Sequence, residues 1–150
     1  MQDVHDIARW FLSKSPMTHK KLQKLCYYAQ AWYCALHNGD PLFDDEIQAW
    51  IHGPVVASLY RCYADYRWEE IPQRSFDDSV LCEKAKDILE AVYDTYGDLT
   101  GDQLESLTHE EEPWRIARGD LKPWEPCQTP ISCKSMREYY FKRYEQNQND

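Results

Sequence analysis

The sequence predicts a mainly α-helical single domain with a small β-hairpin or a few short strands, built around a central apolar helix. Two observations predict it. Apolar residues recur at helical spacing through most of the 150 residues, and the run from Leu22 to Leu36 is apolar over most of its circumference, as befits a helix packed on more than one flank. Only Pro41 to Phe43 and Ile47 to Ile51 are short and alternate in the manner of strands.

Each element follows from local signals. Val4, Ile7, Ala8, Phe11 and Leu12 define a helix over 3–13, ended by Ser15-Pro16. Thr18 is a suitable N-cap for the central helix, which runs to about His37 and stops at Asn38-Gly39-Asp40-Pro41, with Gly39 suited to a left-handed cap position. The two alternating segments are expected to fold back around Asp44-Asp45-Glu46. His52-Gly53-Pro54 is expected to start the next helix, with Pro54 in its first turn and Val56, Leu59, Tyr60 and Tyr63 buried.

Trp68 to Pro72 reads as a short strand or extended connector. From about Asp77, the series Leu81, Ala85, Ile88, Leu89, Val92 and Tyr96 defines a long helix closed by Gly97. Thr100 and Gln103 form a capping box for a helix carrying Leu104 and Leu107, and Trp114 to Ala117 adds a turn or two. Residues 119–131 hold three prolines and read as a loop, after which Ser132 caps a helix with Met136, Tyr139, Tyr140 and Tyr144. The domain is expected to span 1–145, with 146–150 a frayed tail.

Composition narrows the function. A net charge of −9 argues against nucleic-acid binding, which draws its affinity from Lys and Arg at phosphates, and suits a basic protein partner instead. Lys20, Lys21 and Lys24, and Lys134, Arg137, Lys142 and Arg143, read as solvated helix faces. Six cysteines without a C-x-x-C pair read as reduced thiols. With neither a cationic-apolar leader nor an apolar run near 18 residues, the chain is expected to be cytoplasmic and to touch no membrane.

Little points to catalysis. The five glycines stand singly, so no phosphate-cradling loop is encoded, and the nucleophile elbow is absent. The five histidines lack metal-ligand spacing, so no metal and no cofactor is expected. His52-Gly53-Pro54 is the sharpest local feature; its preferred role is structural, with the His52 ring bonded to a neighbouring loop. The competing reading makes His52 and His109 an acid, a base or a partner contact. Glu110 to Glu112 reads as a solvated helix end.

Taken together, Leu22-Gln23-Lys24-Leu25, Tyr28, Gln30 and Trp32, then Pro41-Leu42-Phe43, Trp50 and His52-Gly53-Pro54, resemble the central signature of the Panacea domain of bacterial and phage antitoxins, including SocA-like and phage-associated GepA-like proteins. Thr108-His109 with Pro113-Trp114 resembles its later motif, and Met136 with Tyr139-Tyr140 its closing helix. The resemblance spans about Thr18 to Tyr140 and implies an antitoxin that binds a cognate protein toxin, without catalysis, its signature residues being structural. Two alternatives stand beside it: an enzyme that uses His52 and His109 to modify a toxin or reverse its effect, and a phage or host interaction module without a toxin. Exposed aromatics, Trp68 or Trp124, are the candidate partner anchors.

Overall fold

The computed structural model describes residues 1–149, and the last position of the expected tail, residue 150, lies outside them. The described residues form α1 (Val4–Leu12), α2 (His19–Leu36), β1 (Ile47–Trp50), β2 (Gly53–Val56), α3 (Ala57–Tyr63), α4 (Glu83–Tyr96), α5 (Gly101–Glu110), α6 (Glu112–Arg118) and α7 (Cys133–Asn149). Helix α2 is the hub, packed against α1, α3, α4, α5, α7 and β2. Thr18 caps it by accepting a hydrogen bond from the Lys21 N–H. Leu22, Leu25, Cys26, Tyr28, Ala29 and Ala31 are all fully buried, each large one contributing about 1.5–3 kcal/mol through lost apolar exposure.

The same helix buries polar side chains, and each of them serves backbone that lies outside any helix. Gln30 Oε1 accepts from the N–H groups of Leu42 (2.7 Å) and Phe43 (3.2 Å), while its Nε2 donates to the Phe43 carbonyl (2.8 Å). Gln23 pairs with Val56 in both directions, accepting from its N–H at 2.8 Å and donating to its carbonyl at 3.1 Å. A buried backbone group without a partner costs about 1–3 kcal/mol, so these two amides are what allow a connecting segment to run against the core.

The hairpin departs from expectation. β1 and β2 pair antiparallel with Ile47 opposite Val56 and Trp50 opposite Gly53, so the return is made at Ile51-His52 and not at Asp44 to Glu46. Gly53 makes this turn possible, because its φ of +110° is one that L side chains rarely adopt. Pro54 therefore lies in a strand, and the helix it was expected to start begins at Ala57. A proline is tolerated here because antiparallel pairing turns residues 54 and 56 toward the outer edge of β2, where Pro54 has no N–H to satisfy. The far edge of β1 is covered as well: the Ala49 N–H donates to Thr129 (2.9 Å) and the Ile131 N–H to Ile47 (2.7 Å).

The remaining elements stand close to their local signals. Gly39 adopts φ +88° after α2, and Thr100 and Gln103 form the capping box of α5. The 68–72 segment touches the rest through Ile71 and Met17, which exchange backbone hydrogen bonds. α4 begins at Glu83, later than its apolar series, after a single turn at Asp78–Val80. All six cysteines are free thiols. Replacing Gln30 by Leu orphans three backbone groups at once; chemical denaturation is expected to show a loss of about 3–5 kcal/mol, several times that of an exposed Gln146→Leu change.

Candidate functional site

The turn between β1 and β2 sits over one buried cation. Lys24, on α2, is 1% exposed, and its Nζ donates to the Pro54 carbonyl at 3.3 Å. The expected solvated basic face therefore does not exist at this position. Burial pushes the ammonium down to about 7, opposed by the negative charge of Glu105 and helped by the positive charge of Lys20. Lys20 is half-buried and paired, donating to Glu105 (2.7 Å) and Asp102 (2.9 Å), and Lys21 donates to the Gly97 carbonyl.

Gly53 is required here twice over. Besides its positive φ, a Cβ at this position would stand 2.5 Å from Lys24 Cε and 3.1 Å from Thr108 Oγ1. Thr108 and Glu105 belong to α5, where the Thr108 hydroxyl donates to the Glu105 carbonyl (2.8 Å). The Glu105 carboxylate faces Lys20 on one oxygen and the exposed His52 ring on the other, with Nδ1 at 3.1 Å. Burial raises the Glu105 carboxyl, but the bonds from Lys20 and His52 outweigh it and hold the group below the usual range.

His52 thus reaches a helix and not a loop, through a contact whose exposure makes it worth little. A stronger tie joins the turn to α6: Trp114 Nε1 donates to the Trp50 carbonyl at 2.8 Å. His109 stacks on the Trp114 ring at 3.9 Å, half-buried, and its desolvation lowers the imidazole below its ordinary range. Pro113 is buried in the first turn of α6. Arg118, at the end of that helix, donates to the carbonyls of Ala49 (3.1 Å), Lys122 (2.9 Å) and Glu125 (2.7 Å), pinning the loop that follows to β1.

Between α2, the hairpin, α3 and that loop lies a pocket of about 410 Å³. Lys24, Gln23 and His19 line it from α2, Trp50 and Val55 from the hairpin, and Tyr60 from α3. The pocket is mostly apolar, with His19, Lys20, Gln23 and Lys24 on its α2 side and His52 and Gln128 contributed by the hairpin turn and the loop. Among the described residues, no group of three or more His, Cys, Asp or Glu is gathered so as to hold a metal ion.

Other signature residues form a second polar node in the core. Glu111 is buried, not solvated, whereas its neighbours Glu110 and Glu112 are exposed. One of its oxygens accepts from the hydroxyls of Tyr28 (2.7 Å) and Tyr140 (2.9 Å). Burial raises the carboxyl, and the two hydroxyls offset part of that shift. Tyr28 also stacks on Tyr96 at 4.0 Å, and Trp32 donates its indole N–H to the Tyr96 hydroxyl at 2.9 Å. Trp68 and Trp124 stand apart from both nodes, 79% and 71% exposed.

Residues 22–115 match the sequence model of the family described as antitoxin SocA-like, Panacea domain. The chain belongs to that family. Among curated proteins, antitoxin SocA of Caulobacter vibrioides (strain NA1000 / CB15N) is 28% identical over 131 residues, which cover 76% of this chain and 69% of the relative. No solved structure matches the chain. In this Panacea domain, both polar nodes and the pocket are centred on residues inside the matched span, while His19, Lys20 and residues 126–128 of the pocket and Tyr140 of α7 lie beyond it.

Sequence reasoning missed Glu105, Glu111 and Arg118, whose roles arise from contacts between distant segments. A lysine on a helix apolar over most of its circumference was the visible sign of a buried charge. Two outcomes follow from the geometry. Because Lys24 is depressed in the fold, its burial destabilises the protein fully below about pH 7, and the penalty is relieved as pH rises toward the ordinary lysine value near 10. Lys24→Met is therefore expected to raise stability at pH 6 by on the order of 3 kcal/mol, less the cost of leaving the Pro54 carbonyl without a donor, and this advantage shrinks by pH 10 in matched urea titrations. Gly53→Ala is expected to cost about 2–4 kcal/mol, seen as a lower thermal midpoint.

Proposed function

We propose that this Panacea domain is a cytoplasmic antitoxin that neutralises a protein toxin by direct association. The family match over 22–115 carries the reading, and the similarity to antitoxin SocA supports it. The surface chemistry is compatible: the chain carries a net charge of −9, suited to a basic toxin that presents an anion-binding cleft. Ile116, Leu121 and Trp124 are exposed and share the end of α6 and the loop that Arg118 pins, making that stretch the better anchor, with Trp68 a second. Residues 1–145 act as one unit in this reading.

In this reading the two histidines are structural: the His109 ring stacks on Trp114, whose indole ties α6 to the hairpin, and the exposed His52 ring rests on Glu105 of α5. The association needs neither cofactor nor nucleic acid.

Co-expression with the product of a neighbouring reading frame tests the proposal: growth is restored and the two proteins co-purify. The association rate is expected to fall several-fold between about 50 and 500 mM salt, and Trp124→Ala to weaken the complex about tenfold or more. Rescue without a complex, or rescue abolished by His52→Gln with His109→Gln while the complex survives, refutes neutralisation by binding alone.

A further inference from the structure

The pocket beside the Ile51-His52 turn contains two polar atoms that the chain leaves short of partners. Lys24 Nζ has three N–H donors and engages one of them, at 3.3 Å, on the Pro54 carbonyl. His19 Nδ1 is out of contact with water and has no partner among the described residues. Both side chains line the same cavity. A buried ammonium left this way is costly to the fold, and what it lacks is an acceptor.

The surrounding charges define what that acceptor is. Lys20, from the same helix, is already matched by Asp102 and Glu105, and His52 leans on Glu105 from the turn. Glu105 and His109 approach Lys24 from α5, and His19 from α2, without an ion pair to it. One cation is left without an adjacent counter-charge. A single negative charge balances it, whereas a doubly charged phosphate would exceed it and meet Glu105. The walls add the second requirement, since Trp50 and Tyr60 pack edge to face at 5.0 Å and His19 meets Tyr60 at 5.6 Å, leaving flat apolar surfaces around the polar side.

We propose that this pocket is a ligand site for a monocarboxylate carried on a flat apolar body, the carboxylate taking the spare N–H donors of Lys24 and the body lying against Trp50 and Tyr60. The bound anion also restores the charge that burial withdraws from Lys24, so binding removes the main destabilising feature of α2. Gly53 is what keeps Lys24 in place beneath the turn, since any side chain there would occupy the same space. The site is independent of the antitoxin reading: its carboxylate comes either from a free small acid or from the C-terminal end of a protein chain.

Calorimetric titration of the full chain at about pH 6.5 tests this with three probes: phenylacetate, the uncharged phenylacetamide, and an N-acetylated peptide ending in a free C-terminal Trp. Phenylacetate, the peptide or both are expected to bind at least about tenfold more tightly than the amide, with the preference erased in Lys24→Met. Binding of phenylacetate but not the peptide assigns the source to a free acid; binding of the peptide assigns it to a chain end. Lys24→Gln serves as the second variant, and a thermal melt of each shows that it is folded. Equal binding of acid and amide, no saturable binding of either carboxylate up to about 10 mM, or a preference that survives loss of the Lys24 charge overturns the proposal. Toxin rescue is measured separately, so a failed antitoxin reading leaves this result intact.

Discussion

The outer edge of β2 is the constraint on which the rest of the structure depends. A two-stranded hairpin of four-residue strands has little stability alone and presents unpaired backbone on both sides. Here that outer edge is closed by side chains of α2: Gln23 takes both groups of Val56, Lys24 takes the Pro54 carbonyl, and proline removes the one N–H they could not reach. The opposite edge is closed by 129–131 and by Arg118. A helix thus stands in for a third strand, which explains why its buried face carries amides and a lysine among its leucines and tyrosines.

The Glu111 node applies the same physics to helix–helix packing. A carboxylate removed from water is tolerated because two tyrosine hydroxyls converge on it, one from α2 and one from α7. Tyr27 extends the chain of hydroxyls by its contact with Tyr140 at 2.9 Å. Directional contacts of this kind set the rotation of α2 against α7 more sharply than apolar packing does, so the position of the hairpin follows from the same helix orientation.

Placing the family signature inside the domain separates the fold from the choice of partner. Gln23, Gln30, Gly53, Thr108 and Trp114 hold the hairpin and its flanking helices; they are buried or half-covered and have little surface to offer another protein. Exposed apolar side chains lie outside those motifs, among them Trp68 and, along 116–124, Ile116, Leu121 and Trp124. In the pocket, the signature residues Gln23, Lys24, Trp50 and His52 face open space.

Much of the helical framework was legible because its signals are local. The stripe on α2, the Thr18 cap, the Gly39 stop and the Thr100–Gln103 box each depend on residues within a few turns of one another. The hairpin was misplaced for the complementary reason: Ile47 to Val56 pairs across a two-residue turn chosen by Gly53's φ and by what α2 offers the free edge, and neither is visible in alternation. Lys24 and Glu111 looked like surface charges because sequence shows charge but not burial, which depends on segments 29 to 83 positions away meeting in space. The sequence by itself determined the helices, their caps and the acidic balance. Tertiary structure decided which polar groups lose water and must find partners, because desolvation is a property of the packed chain and not of any residue within it.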